Sequence, residues 1–243
     1  MAPRLAEFLY WMATWIAVMV AILGIGGRAP VADYMIGSSV IGAGLAFMKA
    51  LADLGKQDGI QVNSIGFLVS DEQAMVWRGP MASQALEQLI TQTNWKDLDY
   101  LIVDMPPGTG DIQLTLAQKV PVTGAVIVTT PQDIALIDAR KGLKMFEKVN
   151  VPILGIIENM STHVCSKCGH EEHIFGAGGG EKMGKDYDVE LLGALPLDIK
   201  IREQADSGTP TVVADPDGPS ARIYKQIARR VAVKIAEKQQ DHS

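Results

Sequence analysis

The chain has two cysteines, and they sit together in Cys165-Ser166-Lys167-Cys168-Gly169. Two thiolates three positions apart can grip one metal ion or cluster from a single turn, and the following glycine permits that turn. A disulfide scaffold spreads more cysteines along the chain. A redox pair of the thioredoxin kind sits between a strand and a helix, a context missing here. Zinc is the rival to a cluster, because His170 and His173 follow at once. Four ligands within nine residues would be cramped, however, and the two-plus-two spacing of zinc sites is absent. A four-iron cluster prefers four thiolates. With two per chain, counting puts such a cluster across a two-fold dimer, each subunit giving Cys165 and Cys168.

The second chemical feature is Asp104 and the string behind it, Met105-Pro106-Pro107-Gly108-Thr109-Gly110-Asp111. Asp104 closes an apolar run, and an acid there is placed to hold a Mg2+-bound water, as at the Walker B position of phosphate-loop NTPases. Gly108 and Gly110 leave backbone amides free to approach a phosphate closely. Taken alone, Asp104 reads first as a strand-end residue capping the next helix; the whole string favours the Mg2+ role. Asn159 also ends an apolar run, where by itself it reads as a strand-end turn residue.

These residues need a frame. Residues 62–69 (VNSIGFLV), 100–104 (YLIVD), 125–129 (AVIVT), 152–159 (PILGIIEN) and 191–195 (LLGAL) are short apolar runs of strand character. Ala82, Ala85, Leu86, Leu89 and Ile90 recur with helical spacing. A helix is expected after Asp111, and residues 38–55 suit another despite their glycines. Thr130-Pro131-Gln132-Asp133 predicts a helix start with Thr130 as N-cap and Pro131 at the first helical position. A last helix is predicted from near Ser220, with Ile223, Ile227, Val231 and Ile235 at intervals of four. Continuous apolar strands alternating with helices predict an α/β fold: a mostly parallel sheet with helices on both faces. Ligands then sit at the carboxyl ends of the strands, just after Asp104, Thr129, Asn159 and Leu195.

A length of 243 residues suits one large α/β domain, and 47% hydrophobic with 21% charged residues excludes a disordered chain. The net charge of −6 argues against nucleic acid as a partner. A lone close cysteine pair suits a reducing, cytoplasmic compartment. Residues 8–27 contain no charged side chain, which leaves three readings: a membrane anchor, a buried central strand within WIAVMVAIL, or a leader without a folding role.

The string DYLIVDMPPGTGD (residues 99–111) resembles the switch II region of the Mrp/ApbC-type ATPases, iron–sulfur cluster carriers related to MinD and ParA. The resemblance continues through GIQVNSIGFLV (59–69), WRGPM (77–81), GAVIVTTPQDIALIDARKG (124–142), GIIENMS (155–161), CSKCG (165–169), FGAGGGE (175–181) and LLGALPLD (191–198), about three quarters of the chain. It implies a P-loop NTPase-like fold that binds ATP and Mg2+. Asp104 would bear on Mg2+, Gly108 would approach the γ-phosphate with Thr109 beside it, and Asn159 would contact the adenine next to the turn at Pro196. It also implies a homodimer whose Cys165 and Cys168 hold a labile bridging [4Fe-4S] cluster. The cluster would pass to apo iron–sulfur proteins, with cluster scaffold proteins as further partners.

The family's phosphate loop, a glycine-rich run with two lysines ending in Gly-Lys-Ser/Thr, is missing from this chain. The first lysines are Lys49 and Lys56, and the glycine cluster near the N-terminus, Gly24-Ile25-Gly26-Gly27-Arg28, lacks a following hydroxyl. The family's acidic switch I motif is missing too. Residues 175–184 (FGAGGGEKMG) lack the Gly-Lys-Ser/Thr ending and read as a turn entering a helix. Residues 1–58 are therefore expected to be a divergent hydrophobic segment and residues 59–243 the Mrp-type domain. ATP hydrolysis is expected to be poor. The alternatives are a non-enzymatic metal-binding scaffold and a membrane-associated MinD/ParA-like ATPase, tethered through residues 8–27.

Overall fold

The computed structural model describes residues 19–24, 32–37, 61–64, 79–95, 98–105, 114–115, 117–118, 120 and 122–240. Its strands are β1 (Met19–Gly24), β2 (Ala32–Gly37), β3 (Gln61–Ser64), β4 (Leu98–Met105), β5 (Gly124–Thr129), β6 (Ile153–Glu158), β7 (His163–Val164), β8 (Glu171–Glu172) and β9 (Leu191–Ala194). Its helices are α1 (Gly79–Thr91), α2 (Asp133–Lys148), α3 (Gly179–Tyr187), α4 (Ile199–Asp206), α5 (Thr211–Ala214) and α6 (Pro219–Gln240).

Seven strands form one sheet in the order β3-β2-β4-β1-β5-β6-β9. Pairings β2–β3, β2–β4, β5–β6 and β6–β9 are parallel. Strand β1 is antiparallel to both its neighbours, β4 and β5, so it alone runs against the other strands of the sheet.

Strand residues alternate between two apolar layers, as the pleat requires. Ile102, Val126, Val128, Ile157 and Leu192 pack with Tyr224, Ile227 and Val231 of α6. Leu101, Val103, Ala125, Ile127 and Ile156 pack on the other face with Leu143 and Phe146 of α2 and Leu86 and Leu89 of α1. Residues buried on both faces explain why β4, β5 and β6 read as unbroken apolar runs. The expected α/β fold, a mostly parallel sheet covered on both faces, is the fold observed.

One expectation changes, and one open choice narrows. Helix α2 starts at Asp133 with Gln132 as its N-cap, two residues later than the Thr130 cap predicted. Buried Pro131 is used instead in the exit from β5, where its backbone lies against Gly179. Of the uncharged run 8–27, Met19–Gly24 forms a strand at the centre of the sheet, as the central-strand reading expected. No helix among the described residues is long and apolar enough to cross a membrane. The predicted helix over 38–55, the end of the strand expected over 62–69, and Gly108 and Thr109 lie outside the described residues.

Candidate functional site

The carboxyl ends of β4, β5, β6 and β9 share one edge of the sheet, and most of the chemistry-bearing residues collect there. Glu158 and Asn159 end β6, and the Asn159 N–H donates to the Thr129 carbonyl at the end of β5 (2.7 Å). The Leu195 N–H donates to the Glu158 carbonyl (2.8 Å), and the Leu195 carbonyl accepts from the Ser161 N–H (2.9 Å) and Oγ (3.0 Å). These bonds bring the Asn159 turn and the Pro196 turn side by side.

Asn159 is buried, and its Oδ1 accepts from the Met160 N–H (2.9 Å), with Met160 in the left-handed region (φ 55). Its Nδ2 is buried without a hydrogen-bond partner among the described residues. An unsatisfied buried donor costs about 1–3 kcal/mol. Such a group calls for an acceptor.

Asp104 lies three strands away across the sheet order, roughly 14 Å at the usual strand spacing. It pairs in register with Val20 of β1 and Gly37 of β2. The residue keeps partial exposure at the strand end, but burial raises its carboxyl pKa from 3.8 to about 7. A nearby cation would reverse that shift.

Strand β1 does not end on the Asp104 side of the sheet edge. Gly24 pairs with Tyr100, while Met19 pairs with Met105 and Ile127. The reversed β1 therefore delivers Gly24 to the amino ends of its neighbours, away from Asp104. Sequence inspection could not see this, because the direction of a strand leaves no mark on its apolar pattern.

The glycine-rich segment before α3 does enter a helix, as expected, and the helix end is already engaged. Buried Glu158 accepts from the Gly180 N–H through Oε2 (2.6 Å), and a Cβ on Gly180 would lie 3.0 Å from the Glu158 Cβ. A carboxylate thus occupies the anion-attracting N-terminus of α3. Gly178, in the left-handed region (φ 68), makes the turn into it. Glu158 is a residue that sequence reasoning missed; an acid inside the apolar run 152–159 was the available signal.

The cysteines occupy the loop of a small hairpin, β7–β8, paired at His163↔Glu172 and Val164↔Glu171. The Cys165 N–H donates to the His170 carbonyl (2.9 Å), and the Gly169 N–H donates to the Cys165 carbonyl (2.8 Å), with Gly169 at φ 72. The Lys167 backbone amide, then the Cys168 amide and thiol, hydrogen-bond the Cys165 sulfur and lower its pKa; the nearby His163 adds to this. Amides that favour the thiolate favour the form that binds metal. Cys165 is half-buried and Cys168 exposed, and both are free thiols.

The zinc alternative with His170 and His173 is not assembled. The exposed His170 ring lies 3.7 Å from Glu172, and His173 Nδ1 bonds the Ser161 carbonyl (2.9 Å). Among the described residues, no three metal-ligating side chains gather in one place.

The comparisons agree with this frame. The ParA family model described as NUBPL iron-transfer P-loop NTPase matches residues 46–232. An iron-sulfur cluster carrier protein of Pseudomonas fragi is 66% identical over 170 residues, which is 70% of this chain and 59% of that protein. The iron-sulfur cluster transfer protein NUBPL of Mus musculus is 51% identical over 177 residues, 73% of this chain and 56% of that protein. The chain thus spans little more than half the length of these relatives. Among solved structures, a nucleotide-binding protein from Archaeoglobus fulgidus in complex with ADP is 28% identical with a TM-score of 0.60, covering 79% of this chain and 78% of that one. The MinD protein of Pyrococcus horikoshii, at 17% identity and a TM-score of 0.57, shares the fold. The resemblance seen in DYLIVDMPPGTGD and CSKCG is that of a shared family, and this chain belongs to the ParA-type family of NUBPL iron-transfer P-loop NTPases.

Proposed function

We propose that this chain is a cytoplasmic iron–sulfur cluster carrier whose cargo, a labile [4Fe-4S] cluster, is held between two copies by Cys165 and Cys168 of each. The cargo passes from cluster scaffold proteins to apo iron–sulfur proteins, and the chemistry resides in residues 59–243. One observation carries the reading: a two-thiolate hairpin whose own amides favour the thiolate, with no group of three metal-ligating side chains among the described residues. Four thiolates complete a cluster, so a second copy supplies the missing pair. A cluster held only by four thiolates on short surface hairpins can leave, which suits delivery.

An adenine nucleotide would lie along the carboxyl edge, its base at Asn159 and Pro196, with Asp104, Gly108 and Thr109 toward Mg2+ and the phosphates. The orphaned Asn159 Nδ2 supports the base end. The sequence holds no Gly-Lys-Ser/Thr run to grip the phosphates, so binding without efficient hydrolysis is the expected behaviour.

Anaerobic reconstitution with ferrous iron and sulfide tests the proposal. The expected product is a dimer with one four-iron cluster for each pair of chains, lost in Cys165→Ser and in Cys168→Ser. A chain that stays monomeric, or holds its iron unchanged when Cys168 is replaced, would sink it.

A further inference from the structure

The hairpin that carries the cysteines is too short to hold itself in place. Each strand has two residues, and its loop is exposed. An isolated hairpin of this size is marginal in water. Its ends, however, are tied down. His163, the first residue of β7, places Nδ1 3.0 Å from the Leu197 carbonyl. His173, just after β8, places Nδ1 2.9 Å from the Ser161 carbonyl. A carbonyl only accepts, so in each ring Nδ1 carries the proton.

The two anchoring carbonyls belong to the turns that follow β6 and β9. Those turns are themselves joined, by the Ser161–Leu195 bonds and by the Leu197 N–H donating to the Thr162 carbonyl (2.7 Å). The cysteine hairpin is thereby fastened at both ends to the part of the sheet edge that carries Asn159 and Pro196.

We propose that His163 and His173 are positioning residues for the cysteine pair. Their Nδ1–H groups hold the two ends of the hairpin against the Leu197 and Ser161 carbonyls and so fix where Cys165 and Cys168 stand relative to the domain. The consequence for cargo retention rests on the proposed carrier function; the consequence for hairpin order does not.

Two pairs of variants in the full chain test this. His163→Leu and His173→Leu keep bulk and remove the donor, while His163→Asn and His173→Asn keep an N–H close to the position of Nδ1. In metal-free protein, amide hydrogen exchange at Cys165 and Gly169 should quicken about fivefold to tenfold in the Leu variants. Exchange in β5 and β6 should stay unchanged, and the Asn variants should return toward the native rate. In reconstituted protein, a chelator should remove the cluster severalfold faster from the Leu variants than from the native chain, with rescue by Asn. Native exchange at the hairpin in the Leu variants overturns the proposal. So does acceleration shared with β5 and β6, or failure of Asn to rescue. If the native chain takes up no cluster, the carrier reading falls, and the exchange measurement alone decides the positioning role.

Discussion

Asp104 shows what burial does to a carboxyl at the end of a strand. In the unfolded chain it titrates near 3.8, and in the folded chain near 7. Between those values the native state holds a proton that the unfolded state has lost, so stability from this group falls as pH rises from about 4 and is lost above about 7. The metal-free chain should therefore melt at a lower temperature at pH 8 than at pH 5. Asp104→Asn should flatten that difference, and Mg2+ should raise the native melting temperature at pH 8 but not that of the variant. An unchanged pH slope in Asp104→Asn, followed by thermal melts, would show that the acid is not the source. Asp104 was legible in the sequence as the last residue of YLIVD. Its raised pKa was not, because desolvation depends on which strands lie on either side.

At the scale of elements, β9 and α6 meet closely enough that a methyl group matters. A Cβ on Gly193 would come within 2.6 Å of the Ile227 Cγ1, and Ile227 is fully buried. Gly193→Ala should destabilise the chain by about 1–3 kcal/mol through overpacking, read as a lower urea midpoint with an unchanged slope. No shift in the midpoint would mean that α6 can slide. The strands β4, β5, β6 and β9 and the helix α6 were legible because apolar runs and a four-residue spacing report burial directly. Hairpin β7–β8 was not, since strands of two residues are too short to carry a period. The start of α2 was misjudged because Pro131, suited to a first helical position, packs beside Gly176 and Gly179 instead.

For the whole molecule, the reversed direction of β1 is decisive. A nucleotide site of this family type needs the first strand to end beside Asp104 and hand over a phosphate-gripping loop; here Met19, not Gly24, lies at that edge. Each missing charge-assisted bond to a phosphate is worth about 1.5–3 kcal/mol. Steady-state assays should find magnesium-dependent ATP turnover near background, with Asp104→Ala changing nothing. Clear turnover that disappears in Asp104→Ala would overturn this. The proposed cargo chemistry does not share the deficit, because the cysteine hairpin hangs from β6 and β9, two and three strands away from β1.

The sequence by itself determined the local chemistry: a thiolate pair on a tight turn, an acid at a strand end, and alternating apolar strands and helices that dictate a covered, mostly parallel sheet. Spacing, periodicity and residue type encode these because each acts over a few residues. Tertiary structure alone decided the direction of β1, the Glu158 carboxylate seated on α3, the orphaned donor of Asn159 and the imidazole ties at His163 and His173. The His163 tie spans 34 positions and the His173 tie 12. Contacts of that reach depend on which surfaces the packed core brings together, and no short stretch of chain contains that information.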